Sequence, residues 1–346
     1  MITAGVIGAT GYAGSQLVAL LSAHPQVRLA YVASHSYGGK RFGEVYPSLF
    51  PIGDLILQEE DIEEASHVCD VLFVALPHGM ASHKISEEIL SRCVVIDLGA
   101  DFRLSDRAVY ESWYQCDHPS SHLLTESVYG LCELHRRAIK GARLIANPGC
   151  YTTCSILALA PLVGTGLVDP TSLIIDSASG TSGAGRSEKI GSLFCEVNEN
   201  YKAYGVTNHR HTPEIEQELS LQNGAPLVVQ FTPHLVPMNR GILSTCYANL
   251  KAGVGGAEVR AAYEEYYGDE PFIRLMGSDL PETRFVRATN VCAIGWKVDE
   301  RTKRVVAISA IDNLVKGAAG QAVQNMNIRF ALGETTGLAT SVASPL

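Results

Sequence analysis

I-T-A-G-V-I-G-A-T-G-Y-A-G, residues 2–14, decides how the rest of the chain is read. It is a short apolar run that ends in glycine and passes into the helical pattern Q-L-V-A-L-L-S, followed by a second apolar run, V-R-L-A-Y-V-A. Apolar run, amphipathic segment and apolar run together predict a βαβ unit. Between strand and helix lie Gly8, Gly11 and Gly14, enclosing Thr10, Tyr12 and Ala13. Glycines at such a turn let backbone approach a pyrophosphate, and the helix start offers unpaired N–H groups and the positive dipole end. The spacing and its strand-to-helix context predict a dinucleotide site built from Gly8, Thr10, Gly11, Tyr12, Ala13 and Gly14.

The end of the second apolar run sharpens that expectation. A site that grips a free ribose 2′-hydroxyl places Asp or Glu there, whereas this chain reads A-S-H-S-Y-G-G-K-R. Ser34, Ser36 and Lys40, with Arg41 beside them, suit a 2′-phosphate, so NADP(H) is expected over NAD.

Further runs at 71–76, 94–98 and 144–147, with helix-prone segments such as I-S-E-E-I-L between some of them, extend the alternation. An N-terminal Rossmann-type α/β domain with a parallel sheet covered on both faces follows. After Pro148 the texture changes. Residues 173–178, 226–235, 242–250 and 305–313 read as longer strands with fewer helices between them, which predicts an α+β domain with a largely antiparallel sheet. The expected division is a dinucleotide-binding domain over 1–147, completed by a C-terminal helical segment over 313–346, and a catalytic and oligomerisation domain over 148–312.

Bulk properties exclude several classes. A net charge of −9 argues against non-specific binding to nucleic acid or an anionic membrane, which needs a basic face. The longest apolar stretch, 154–168, is interrupted by Pro161, Gly164 and Gly166 and is shorter than a membrane span. Nine cysteines scattered over 346 residues without a signal-peptide pattern point to a reducing, cytoplasmic setting. The closest pair, Cys150 and Cys154, is spaced C-x-x-x-C, and no C-x-x-C pair occurs, so no metal site is expected.

Three further stretches carry chemistry. In A-N-P-G-C-Y-T-T (146–153), Asn147 as N-cap and Pro148 as N1 would place Cys150 in the first turn of an apolar helix, where the dipole favours the thiolate. In Y-G-V-T-N-H-R-H-T-P-E-I-E-Q (204–217), His209 and His211 precede Thr212-Pro213, a candidate N-cap and N1 pair. Either imidazole could partner a nucleophile, the other bonding Glu214, and spacing alone leaves the choice open. The loop 177–186, S-A-S-G-T-S-G-A-G-R, includes Ser182 and ends at Arg186; it could fold into N–H nests for phosphate oxygens or be a plain surface loop.

Taken in order, G-A-T-G-Y-A-G, A-N-P-G-C-Y-T-T, S-G-T-S-G-A-G-R, H-R-H-T-P-E-I, F-T-P-H-L-V-P-M-N-R-G-I-L and D-N-L-V-K-G-A-A-G-Q-A-V-Q resemble the N-acetyl-γ-glutamyl-phosphate reductases. These are NADPH-dependent enzymes of arginine biosynthesis related to aspartate-semialdehyde dehydrogenase, and the resemblance spans essentially the whole chain. It implies Cys150 as nucleophile, His209 as acid/base residue, and His211 and Glu214 as supporting neighbours. It also implies Arg103, Asn147, Ser182 and Arg186 on the side of the substrate and its phosphate, and Gly180, Asn313 and Lys316 on the side of the cofactor. The implied partner is a small acyl phosphate, and the implied assembly is a homodimer or homotetramer. Reductases of aspartyl phosphate or of an aminoadipyl intermediate share this chemistry. A cysteine hydrolase with a structural glycine turn, or a non-catalytic NADP sensor, would not need the whole motif set.

Overall fold

The pattern of residues 2–33 becomes β1 (Ile2–Ile7), α1 (Tyr12–Ser22) and β2 (Val27–Ala33) in a computed structural model that describes residues 1–342. The alternation continues through α2 (Phe42–Val45), α3 (Ile62–Val68), β3 (Val71–Val74), α4 (Ala81–Lys84), α5 (Glu87–Arg92) and β4 (Val94–Asp97). It closes with α6 (Arg107–Tyr114), β5 (Ser127–Tyr129), α7 (Cys132–Ile139) and β6 (Leu144–Ala146). The six strands form one sheet in the order β2-β1-β3-β4-β6-β5, every pair parallel. All four residues of β3 and of β4 are buried, as expected of strands covered on both faces. Strand order reverses between β1 and β3, and in open parallel sheets that switch point is where a crevice forms outside the carboxyl ends. β5 has only three residues and no apolar run of its own, so periodicity did not reveal it.

The second unit begins with α8 (Cys150–Gly164), β7 (Ile174–Gly180), α9 (Phe194–Val197), β8 (Lys202–Ala203) and α10 (Thr212–Asn223). It continues through β9 (Gln230–Val236), β10 (Ile242–Asn249), α11 (Gly256–Tyr267), β11 (Ile273–Gly277), β12 (Cys292–Asp299) and β13 (Arg304–Ile311). Its seven-stranded sheet runs β11-β12-β13-β10-β7-β9-β8. The pairs β11–β12 and β7–β9 are parallel and the other four antiparallel, so the sheet is mixed and mostly antiparallel.

Every residue of α8 from Tyr151 to Val163 is buried, which is what a helix apolar on all sides requires. Burying each leucine or isoleucine there contributes roughly 1.5–3 kcal/mol. Pro161 inside the helix cannot donate to the Leu157 carbonyl, and the Tyr267 hydroxyl of α11 donates to that carbonyl instead, at 3.0 Å. Tyr263 does the same for Ala158, at 2.6 Å.

The helical pattern 314–330 departs from the expected single helix. It opens as a π-turn over Val315–Ala319 and becomes α12 only at Gly320–Arg329. The chain divides into Met1–Pro148 with Ala318–Leu338, and Gly149–Gly317 with the residues from Ala339. Asn313 and Lys316 therefore belong to the second unit, where the expected boundary had placed them in the first. The last part of the expected C-terminal segment, 343–346, lies outside the described residues. Among the described residues no helix is long and apolar enough to cross a membrane.

Candidate active site

Leaving β6, the chain reaches Asn147 and Pro148 and enters α8 with Gly149 as N-cap, φ −67° and ψ 155°, and Cys150 as the first helical residue. This corrects the expected cap by two residues. Asn147 cannot cap α8 because its amide is engaged elsewhere, donating to the Ala318 carbonyl at 3.1 Å and accepting from Asn325 at 3.2 Å. A glycine cap has no side chain to cover the first N–H groups of the helix. Cys150 is half-buried beside them, the position in which a helix dipole favours a thiolate.

The capping group comes from another helix. α10 starts with His211 as N-cap and Pro213 in its first turn, one residue earlier than Thr212-Pro213 suggested. Its buried Glu214 accepts from the Gly149 N–H at 2.9 Å and from the Thr152 hydroxyl at 2.8 Å. One carboxylate thus fastens the starts of α8 and α10 together.

His209 is half-buried and packs among aromatic rings. The Tyr151, Tyr204 and Phe231 rings stand edge-on to it at 5.7, 5.5 and 5.4 Å, and the His211 ring lies at 4.8 Å. Burial, reinforced by His211, pushes the His209 imidazole down to about 3, with Glu214 acting in the opposite sense. The His211 backbone N–H donates to Nδ1 of His209 at 3.1 Å. Nδ1 is therefore the acceptor, and the neutral ring carries its hydrogen on Nε2. The Tyr204 hydroxyl donates to that of Tyr151 at 3.1 Å, which donates to the His234 carbonyl at 2.9 Å. Burial raises both phenols, Tyr204 to about 12. Neither tyrosine stood out in the sequence; only their adjacency to Cys150 and His209 in the quoted motifs could have signalled them.

The loop after β7 is less open than its glycines suggested. The Thr181 and Ser182 N–H groups donate to the Met238 and Asn239 carbonyls, and that of Gly185 to the Ser182 carbonyl. Three of the expected anion-nest donors are therefore already bonded. A Cβ at Gly180 would lie 2.8 Å from the Met238 carbonyl oxygen, so this glycine serves a close backbone crossing. Asn313 joins the same knot, accepting from the Gly241 N–H at 2.7 Å and donating to the Ser182 hydroxyl at 3.0 Å. Arg186 is exposed. Lys316 has no accessible surface, and its ammonium lies 5.6 Å from the Phe272 ring centroid, so it packs in the core and presents no cation to a ligand at the surface.

In the first unit the glycine turn is shaped for close approach. Gly8 has φ +77°, and a Cβ there would fall 2.4 Å from the Ala75 carbonyl oxygen at the end of β3. A Cβ at Gly14 would fall 2.2 Å from the Gly8 carbonyl oxygen. Gly11 caps α1 with φ −73° and ψ 166° and offers no side chain, leaving the first-turn N–H groups of Tyr12 and Ala13 uncovered by their cap. A dinucleotide pyrophosphate fits this cradle, which any side chain at 8 or 14 would fill.

Beside it, Thr10 and Ser34 share a hydroxyl–hydroxyl bond of 2.7 Å, and the Tyr46 hydroxyl donates to the Thr10 carbonyl at 2.9 Å. Ser34 is buried, so it ties β2 to the glycine turn and does not face a 2′-phosphate from the surface, as the sequence had suggested. Ser36 and Lys40 are exposed, with Lys40 over the Tyr37 ring. Arg41 pairs with Asp54, and the Glu59 carboxylate lies over Gly38, so the turn holds an acid as well as bases.

Arg103, expected as an anion contact, is mostly buried and donates to the Asn147 carbonyl at 2.8 Å and the Leu98 carbonyl at 2.9 Å. It therefore braces the ends of β4 and β6. Next to it, fully buried Asp97 accepts from the Gly99 N–H at 2.9 Å, while its Oδ2 has no partner among the described residues. Burial, together with the Asp101 carboxylate, raises Asp97 to about 7 against the pull of the Gly99 N–H and Arg103.

Residues 3–142 match the family described as semialdehyde dehydrogenase, NAD binding domain, and residues 150–313 match semialdehyde dehydrogenase, dimerisation domain. The chain is 55% identical to the N-acetyl-γ-glutamyl-phosphate reductase of Pelotomaculum thermopropionicum, over 96% of each chain. It is 51% identical to that of Lachnospira eligens over 98% of each, and 50% identical to that of Campylobacter jejuni over 97% of this chain and 98% of the relative. Among solved structures, aspartate semialdehyde dehydrogenase II of Vibrio cholerae shares the fold with TM-score 0.72 at 18% identity, covering 96% of this chain and 98% of that one. Aspartate semialdehyde dehydrogenase of Candida albicans, solved with NADP, aligns with TM-score 0.68 at 18% identity over 96% and 99%.

Proposed function

Because the chain belongs to the semialdehyde dehydrogenase family, among the N-acetyl-γ-glutamyl-phosphate reductases, we propose that it reduces N-acetyl-L-glutamyl 5-phosphate to N-acetyl-L-glutamate 5-semialdehyde through a thioester on Cys150. The observation that carries the covalent route is the thiol's place as first residue of α8, at the positive end of the helix dipole.

The Cys150 thiolate attacks the acyl carbon, the bond from that carbon to the bridging oxygen breaks, and phosphate leaves with the oxygen and the electron pair. Bound NADPH supplies the hydride that reduces the thioester. His209 acts on the oxygen of the tetrahedral adduct: with Nδ1 held by the His211 N–H, its Nε2–H is the group that donates. A neutral imidazole suits that role, since it stabilises the developing oxyanion without first having to be protonated. Collapse of the adduct releases the aldehyde and returns the thiolate. A donor aimed at the oxyanion typically contributes ~2.7–4 kcal/mol. Glu214, holding the starts of α8 and α10, positions thiol and imidazole with respect to each other.

NADPH is the expected reductant, held by the Gly8–Gly14 turn, with Ser36 and Lys40 on the 2′-phosphate. The absence of an acid at the end of β2 supports this choice. The enzyme acts in the cytoplasm as a homodimer or homotetramer; the family's description of residues 150–313 as a dimerisation domain supports the assembly.

Cys150→Ser is expected to abolish reduction while NADPH fluorescence titrates as before. Intact-mass measurement after mixing the wild-type enzyme with N-acetylglutamyl phosphate, without NADPH, should show one acyl adduct. Full turnover by the serine variant would end the covalent mechanism, and faster reduction of aspartyl phosphate in a parallel assay would change the substrate.

A further inference from the structure

Asn313 and Lys316, in D-N-L-V-K-G (312–317), are implied cofactor contacts, yet the turn that holds them packs against Cys150. Asp312, fully buried at the end of β13, gathers three segments. Its Oδ1 accepts from the Leu314 and Val315 N–H groups at 2.9 and 3.2 Å and from Arg240 Nε and Nη2 at 3.3 and 3.0 Å. Its Oδ2 accepts from the Ala288 N–H at 2.7 Å, holding a non-glycine residue at φ +59°. Its backbone carbonyl accepts from the Gly317 N–H at 3.0 Å, a bond from residue i to i−5 that winds the chain into the π-turn. Such turns are uncommon and occur often at functional sites.

The turn brings Gly317 backbone against the reactive residue. A Cβ at 317 would lie 2.8 Å from Cys150 Cβ, 3.2 Å from Cys150 Cα and 3.2 Å from Ile311 Cδ1. Contacts that short require something to move. Ile311 belongs to the sheet core, and Cys150 begins a helix buried on every side, so neither can yield alone.

We propose that the Asp312-anchored π-turn is a positioning element for Cys150, and that Gly317 is glycine so that the turn can bear on the thiol residue without displacing it from the start of α8. This rests on Cys150 as the nucleophile. Asp312 and Gly317 act through Cys150 and touch no reacting atom.

The test uses the intact enzyme and two readouts, steady-state kinetics and the pH dependence of Cys150 alkylation by iodoacetamide followed by intact mass. Gly317→Ala should lower kcat by ~10²-fold, as expected for a reacting group displaced by about 1 Å. It should leave KM for NADPH within about twofold of wild type, on the order of 0.4 kcal/mol or less, and move the alkylation midpoint to higher pH as the sulfur leaves the helix terminus. Gly295→Ala in β12 is the structural control, because its Cβ would fall 2.1 Å from the Asp279 carbonyl oxygen. It should lower the melting temperature without changing kcat per folded molecule or the alkylation midpoint. Should Gly317→Ala not fold, Asp312→Asn is judged by the same readouts and should shift both in the same directions. An unmoved midpoint with kcat near wild type in the folded variant, or an equal loss of kcat in Gly295→Ala, overturns the proposal. A fully active Cys150→Ser would instead remove the mechanism on which it rests.

Discussion

Two strand-to-helix turns in this protein have almost the same backbone and different chemistry. After β1, Gly11 caps α1 with φ −73° and ψ 166°; after β6, Gly149 caps α8 with φ −67° and ψ 155°. Neither glycine has a side chain with which to cap its helix, and both turns end at the positive pole of a helix dipole. At the first, Gly8 at φ +77° and the tight approach of Gly14 to the Gly8 carbonyl hollow out a backbone cradle that suits an extended anion. At the second, Glu214 bonds the Gly149 N–H, Gly317 bears on the helix start, and a thiol occupies the first helical position. A glycine-capped helix terminus is therefore a general electrostatic device. What packs around it decides whether it is shaped for an anion, as at Gly8–Gly14, or holds a thiol, as at Cys150.

The largest effect that would break this comparison is at Gly14. Gly14→Ala places a methyl within 2.2 Å of the Gly8 carbonyl oxygen, and NADPH affinity should fall by at least ~100-fold, about 2.7 kcal/mol or more. The alkylation profile of Cys150 should not change, because the atoms that a methyl at 14 would meet belong to Gly8 and Ala9. A parallel loss of thiol reactivity would show that the two turns are one site energetically.

Next in size is His209→Asn, which should lower kcat by ~10²–10⁴-fold. Because His209 titrates near 3, it stays neutral across pH 5 to 8, and its removal should reduce the height of the kcat/KM profile without moving any inflection in that range. An inflection near pH 6 that vanishes with the imidazole would contradict a neutral donor.

Lys40→Ala separates the cradle from its selectivity. It should raise KM for NADPH by roughly 10-fold, in line with ~1.5–3 kcal/mol for a charge-assisted bond partly exposed to water, and leave KM for NADH unchanged. Equal effects on both nucleotides would move Lys40 off the 2′-phosphate.

The last effect concerns stability and touches neither turn directly. With its carboxyl raised to about 7, folded Asp97 keeps a proton that the unfolded chain loses near pH 4. The folded state binds more protons between these values, so stability should decline with rising pH by up to about 1.4 kcal/mol per pH unit between roughly pH 4 and 7, and level off above. Asp97→Asn should remove that slope and gain stability relative to wild type more at pH 8 than at pH 5, by urea unfolding. Parallel curves would mean that the acid is not held neutral.

Much of the fold was legible because local rules suffice for it. Apolar runs alternating with helical periods define the parallel sheet, and Gly8, Gly11 and Gly14 announce their turn through sterics that act within a few residues. The short strands β5 and β8 were not legible, since three or two residues have no periodicity to read. The helix caps were displaced by one or two residues for a similar reason. Asn147 and Thr212 are good caps by residue type, but Asn147 found partners in Ala318 and Asn325, far away in sequence.

At the site, the order of motifs marked Cys150, His209, His211 and Glu214 as a group, since each lies in a short pattern whose residue types suit the chemistry. The sequence could not distinguish the two imidazoles. The difference lies in the His211 N–H meeting Nδ1 of His209 and in the Tyr151, Tyr204 and Phe231 rings packing edge-on around His209. Nor could it show that the glycine loop after β7 already bonds its N–H groups to residues 238–239, or that Ser34 faces inward to Thr10.

The amino-acid order by itself determined the class of fold, the glycine turn, the thiol and its candidate partners, because backbone sterics, periodicity and residue chemistry operate over a few neighbours along the chain. Tertiary structure alone decided that burial holds the His209 imidazole neutral, which loop N–H groups are already occupied, and that Gly317 stands against Cys150. Burial, hydrogen-bond partnership and close packing are set largely by atoms that the fold brings together from separate segments, and their energies have little signature in the residue types alone.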